Sequence, residues 1–183
     1  MAAVSWLNYA YLARFSKPRS ARQLYRLVKR NRVCRIVEVG VGSVERAASL
    51  IRVAQRYGGQ EKVSYTGIDW FDARPADLPQ LTLKETHCRL QATGAQVRLV
   101  PGEPARSIAA TANAHQHTGL LLIAAFVYDS SLTPAWFYVP RMLDPDSIVL
   151  RELRDSAGQS VFETLPAVRI AKMAAQSTAR RVA

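Results

Sequence analysis

The segment Arg35-Ile36-Val37-Glu38-Val39-Gly40-Val41-Gly42-Ser43 constrains the fold of this chain more than any other stretch. Arg35 to Val39 is rich in β-branched residues and reads as a strand. Gly40 permits a tight turn, and Gly42 leaves the backbone without a side chain where a ligand could approach. Ser43 then caps a helix whose Val44, Ala47, Ala48, Ile51 and Ala54 face inward. Tyr57-Gly58-Gly59 ends that helix with glycine where a left-handed turn is needed. A glycine turn between a first strand and a helix, with free N–H groups at the helix start, favours a polar or negative ligand group.

The same alternation continues downstream. Val63 to Ile68, Gln96 to Val100, Leu120 to Val127 and Ile148 to Leu153 read as further strands. Between them lie a helix ending at Gly94, a short helix opened by Pro104, and a helix from Ser131 and Pro134 through Trp136 and Val139. Strands separated by helices imply right-handed βαβ crossovers and a parallel sheet. The expected architecture is a doubly wound, mostly parallel α/β sheet with helices on both faces. Residues 33–153 form its core, in a single domain of 183 residues. Residues 1–32 form an N-terminal helical layer, in which Ser20 caps a helix bearing Leu24, Leu27 and Val28. Residues 154–183 supply one short strand, 161–165, and one helix, 167–175.

Three acids stand at the ends of successive strands, the edge where open α/β sheets bind ligands. Glu38 precedes Gly40 by two residues, and its carboxylate suits an ammonium group. Asp69 ends the second strand, where a carboxylate can accept both hydroxyl hydrogens of a ribose, and Trp70 beside it can pack on an adenine ring. Glu103 follows the third strand in Pro101-Gly102-Glu103 and can accept from an adenine amino group. Each of these acids is alternatively a loop charge or a helix cap. A dinucleotide site is disfavoured, because Glu45 stands where its fingerprint needs a third glycine.

Together these features resemble the class I S-adenosylmethionine-dependent methyltransferases over residues 33–153. Val37 to Ser43 looks like that family's first motif, Tyr65 to Asp69 like its ribose-binding strand, and Trp136 to Leu150 like the stretch before its fifth strand. The resemblance implies a Rossmann-like methyltransferase fold binding S-adenosylmethionine. Glu38 would lie near the methionine amino group, Gly40, Gly42 and Ser43 beneath the ligand, and Asp69, Trp70 and Glu103 on the nucleoside side. No metal is expected, since the fourth strand lacks acids and a hard cation needs oxygen ligands. Tyr128 and Asp129 are the only residues nominated as a general base. Pro104 removes a backbone donor near the adenine position. The C-terminal end is short for the family, which leaves room for a partner subunit, a small substrate or a degenerate site.

The expected function is therefore methyl transfer to an acceptor that the sequence does not identify. The alternatives are a non-catalytic binding protein of the same fold and a nucleic-acid-associated protein. The last draws on the net charge of +11 and on residues 14–35, which carry nine Lys and Arg and no acid. Such a segment attracts RNA or another polyanion. The aromatic residues of 6–15 make a homodimer an expectation. The chain shows no apolar run near the roughly 18 residues of a membrane span. Cys34 and Cys88 form no redox or metal motif and read as reduced, buried thiols of a cytoplasmic protein.

Overall fold

The computed structural model describes residues 6–16, 19–59, 61–127 and 129–182, with side chains for all of these but 6–8, 129 and 180–182. Two helices, α1 (Trp6–Phe15) and α2 (Arg19–Arg30), precede the sheet. The alternating part runs β1 (Arg35–Val39), α3 (Val44–Tyr57), β2 (Ser64–Asp69), α4 (Leu83–Gln91), β3 (Gln96–Pro101), α5 (Pro104–Thr111) and β4 (Thr118–Ile123). It closes with α6 (Asp129–Leu132), β5 (Leu143–Arg154), β6 (Ser160–Thr164) and α7 (Ala167–Val182).

The six strands form one sheet in the order β3-β2-β1-β4-β5-β6. All neighbours are parallel except β5 and β6, which form an antiparallel hairpin. The chain leaves β1 toward β2 and β3, then returns to place β4 on the other side of β1. The carboxyl ends of β1 and β4 are thus the topological switch point, where doubly wound sheets open a ligand crevice.

Side chains alternate between two cores, as strand geometry requires. Ile36, Tyr65, Leu120, Leu122 and Leu150 join α2 and α3 on one face. Val37, Val39, Ile68, Leu121 and Val149 join α5 and α7 on the other. The period of two carries Glu38, Asp69 and Glu152 onto the α3 face, because Ile36, Tyr65 and Leu150 lie there.

Several sequence expectations need correction. Ser20 does not cap α2; it lies inside the first turn and is buried. β4 stops at Ile123, and Ala124 to Val127 form a turn closed by the Val127 N–H donating to the Ala124 carbonyl. That turn packs against Gly40, where an added Cβ would lie 2.6 Å from Val127 Cγ2 and 2.9 Å from Ala124 Cβ. No continuous helix follows. After α6 come two 3-10 turns, Thr133–Phe137 and Val139–Met142, because Pro134 and Pro140 interrupt i→i−4 bonding. Cys88 is exposed; Cys34 is half-buried, and burial raises its thiol pKa, aided by Glu61. Among the described residues no helix is long and apolar enough to cross a membrane.

His115 ends the 3-10 turn before β4 and is buried, with Nε2 lacking a hydrogen-bond partner. Burial, and then the Arg98 charge, depress its pKa below the usual imidazole value. The unfolded chain therefore binds the proton more readily, so His115 contributes stability that is present above about pH 6.5 and lost as pH falls through and below that value. His115→Gln should show a smaller fall in melting temperature between pH 7 and pH 5.5 than the wild type. Equal falls would mean that the imidazole titrates alike in folded and unfolded chains.

Candidate functional site

The turn after β1 is built as its sequence demands. Gly40 adopts φ +78°, a conformation that favours glycine, and its N–H donates to the Ile68 carbonyl of β2 at 2.8 Å. Ser43 caps α3, its hydroxyl accepting from the Arg46 N–H at 3.1 Å. Glu45 points outward to Arg89 at 2.5 Å.

Glu38 is completely buried, and among the described residues three donors meet its carboxylate. The Tyr65 hydroxyl donates at 2.7 Å, the Arg46 guanidinium at 2.8 Å and the Gly42 N–H at 3.1 Å. Arg46 also reaches Glu152 of β5 at 3.0 Å. Burial works against the charge on Arg46, but Glu38 and Glu152 outweigh it and hold its pKa above the ordinary guanidinium value. Tyr65 is pushed well above the usual phenol value, first by burial and then by the neighbouring Glu38 charge. The missing side chain of Gly42 accommodates Arg46: a Cβ there would stand 2.3 Å from a guanidinium nitrogen.

Asp69 is also completely buried. Its carboxylate accepts from the Val41 N–H at 2.7 Å, the Phe71 N–H at 2.9 Å, and Arg74 through Nε at 2.7 Å and Nη2 at 2.6 Å. Arg74 further donates to the Val41 and Pro79 carbonyls and lies 5.3 Å from the centre of the Phe126 ring. Phe71 is buried at φ +50°, an uncommon conformation for a bulky residue, which brings its N–H onto Asp69.

Arg46, Arg74 and Glu152 form the floor of a cleft of about 1070 Å³, with Glu38 and Asp69 buried behind the two arginines. Its walls are Tyr11 and Phe15 of α1, Tyr25 of α2, and Phe126 of the turn after β4. Gly42 and Ser43 line it, as do Arg46 and Arg74, which the sequence did not single out. A chain with 25 Lys and Arg gives no local sign of which arginine folds back onto which acid. Trp70 is not brought to this cleft; it packs against the opposite core. Glu103 caps α5 with both oxygens, accepting from the Ala105 and Arg106 N–H groups at 3.1 and 2.9 Å. Asp129 begins α6 just beyond β4, whereas Tyr128 lies outside the described residues. Among the described residues no three His, Cys, Asp or Glu side chains cluster as metal ligands. A second hollow, of about 500 Å³, lies at the amino ends of the strands beside Arg35, Ser64 and Gln96, away from the edge that binds ligands in such sheets.

No protein-family model matches the chain, and no curated protein sequence matches it. Solved structures do. The chain is similar to the O-methyltransferase TomG from Streptomyces achromogenes, involved in tomaymycin synthesis and crystallised in complex with SAM. The TM-score is 0.54 at 12% identity, over 92% of this chain and 70% of that one. It is also similar to a SAM-dependent methyltransferase from Agrobacterium tumefaciens (TM-score 0.49, 11% identity, 85% of this chain and 48% of that one). A cyclopropane-fatty-acyl-phospholipid synthase-like protein from Lactobacillus casei matches with a TM-score of 0.45 at 18% identity, over 81% of this chain and 58% of that one. The likeness to TomG shows the fold, a Rossmann-like sheet of the class I methyltransferase kind.

The Tyr65–Glu38 bond is open to a direct test. Tyr65→Phe leaves a buried carboxylate oxygen short of its donor and should cost about 1–3 kcal/mol in urea unfolding. A loss under about 0.5 kcal/mol, within the range of an ordinary surface substitution, would show that Arg46 and Gly42 hold Glu38 without it.

Proposed function

We propose that the chain binds S-adenosylmethionine over the glycine turn and transfers its methyl group to an acceptor lying in the cleft beneath α1 and α2. The observation that supports this best is the pair of buried carboxylates, Glu38 and Asp69, on one face of adjacent strands, each bonded to the turn between them.

The donor chemistry at these acids fits the cofactor. Asp69 takes two N–H bonds from Arg74, and a ribose offers two O–H donors in their place, so the count of bonds to the carboxylate is conserved. Glu38 takes one bond from the end of Arg46, where an ammonium group could donate instead. The groups in the way at Asp69 and Gly42 are the ends of long side chains rather than backbone. Bound there, the cofactor supplies an electrophilic methyl on a sulfonium. The protein's own part is alignment and exclusion of water. Phe126 and Tyr25 furnish apolar wall, and Ala124-Ala125-Phe126-Val127 places no acid at the rim after β4. For a hydroxyl acceptor, Asp129 and Tyr128 are the proposed proton acceptors. Glu103 would serve the adenine side only by giving up a bond to α5.

A second reading follows from the same contacts. With both acids satisfied by the chain's own arginines, the fold could serve as a binding protein without turnover.

Calorimetric titration and thermal unfolding with S-adenosylmethionine and its demethylated product test the cofactor site, and release of the demethylated product in the presence of candidate acceptors separates the two readings. The wild type should bind, and at about a hundred times the dissociation constant its melting temperature should rise by roughly 5–10 °C. Arg74→Met, which removes the group competing for Asp69 but leaves that carboxylate buried without its cation, should melt lower than the wild type and be raised more by the cofactor than the wild type is. Binding by Arg74→Met alone would favour the non-catalytic reading, and binding by neither would overturn the cofactor site.

A further inference from the structure

The mouth of the cleft carries features that methyl transfer does not itself require. Residues 14–35 contain no acid, and among the described residues none of their cations forms an ion pair. Arg14 at the end of α1 and Arg19 and Arg26 of α2 are exposed. Arg22 and Arg26 are held in place: their guanidinium groups donate to the Arg14 and Ala13 carbonyls at the end of α1, at 2.9 and 3.0 Å. That leaves further N–H donors on each for an outside ligand.

Beside them stand the most exposed aromatic side chains of the described structure. Tyr11 is 62% and Phe15 66% exposed, one helical turn apart on α1. Their rings are stacked, with centroids 5.9 Å apart and an interplanar angle of 28°. Both line the cleft that also holds Gly42 and Arg46. The pair buries little of itself in the fold, so its packing does not explain it.

We infer that this rim binds single-stranded nucleic acid, with the α2 arginines on the phosphates and a base stacked on Tyr11 and Phe15. Aromatic platforms flanked by cations recognise single strands because every unpaired base has a π-face, while paired bases in a duplex keep theirs covered. An anionic membrane would use the cations and have no need of the ring pair. A second copy of the chain would bring the same acid-free cationic surface against itself. That a bound base is also the methyl acceptor rests on the methyltransferase reading above; the binding does not.

The experiment is fluorescence anisotropy of the full chain, without cofactor, against a labelled 15-nucleotide RNA, the same sequence as DNA, and its duplex. Vesicles containing phosphatidylserine and light scattering of the protein alone complete the set. Single strands should bind at least tenfold more tightly than the duplex, with RNA or DNA preference naming the source of the strand. The variant Arg14→Glu/Arg19→Glu alters exposed side chains that hold no hydrogen bond or ion pair in the described structure. It should lose at least tenfold in affinity, and its log–log salt slope should shrink by about 1.4, at about 0.7 per phosphate contact. Tyr11→Ala/Phe15→Ala should lose the preference for single strands and keep the slope. Three results would each overturn the inference: equal binding of duplex and single strand unaffected by Tyr11→Ala/Phe15→Ala, binding to vesicles but not to oligonucleotides, or a dimer that the aromatic substitutions split. Because no cofactor is present, failure here leaves the calorimetric result on S-adenosylmethionine untouched, and failure there leaves this one.

Discussion

The ion pair between Asp69 and Arg74 holds the working edge of the sheet together. Both groups are out of solvent, and the carboxylate accepts from the backbone on either side of it. Burying either charge without the other would be strongly unfavourable. The pair therefore fixes the Val41 turn, the unusual backbone at Phe71 and the path of the loop from β2 through Pro79 as one unit. The Glu38–Arg46–Glu152 chain does the same between β1, α3 and β5. The glycine turn is clamped from two sides, and each clamp is a guanidinium.

That arrangement gives the cleft an unusual property. The turn has the backbone form expected of a ligand-cradling loop, and its acids are placed on the expected strand ends. The atoms nearest the two acids belong to the chain itself. A ligand entering there exchanges hydrogen bonds with Arg74 and Arg46 rather than filling free valences, so its affinity is a difference between two well-satisfied states.

Much of the framework was legible in the sequence, and for identifiable reasons. β1, the Ser43 cap and the inward face of α3 follow from local rules, namely a β-branched strand, a polar cap and helical periodicity. The parallel pairing follows from the alternation of elements, whereas the order β3-β2-β1-β4-β5-β6 does not, since other doubly wound orders share that alternation. The end of β4 was not legible, because Ala124 to Val127 continue an apolar run and only the packing on Gly40 turns them aside. The stretch from Ser131 and Pro134 through Val139 reads as a helix, since its apolar spacing is helical, while its prolines limit it to 3-10 turns. Arg74 and Arg46 reach Asp69 and Glu38 across five and eight residues, through turns that no helical or strand spacing marks, and each also makes a contact far along the chain. Arg46 meets Glu152 across 106 residues, and no local pattern encodes such a pairing. Glu103 kept the plainer of its two readings, a helix cap. Trp70, two residues after Ile68, packs on the same core as Ile68, opposite the face that carries Asp69.

The wall formed by α2 has a consequence for how the chain reaches this state. Leu24, Tyr25 and Val28 pack into a core that also includes Ile51 of α3 and Phe162 of β6. Of the described elements, α1 and α2 leave the ribosome before any other, yet part of the surface that receives them is made almost last. During synthesis their apolar stripe can dock on α3, but its contact with β6 waits for the β5–β6 hairpin, while their unbroken positive charge discourages association between nascent chains. The contact of α2 with β6 is thus the last part of this wall to be made. Substitutions in β6, remote in sequence from the glycine turn, should first be felt as slower or less complete assembly of its wall.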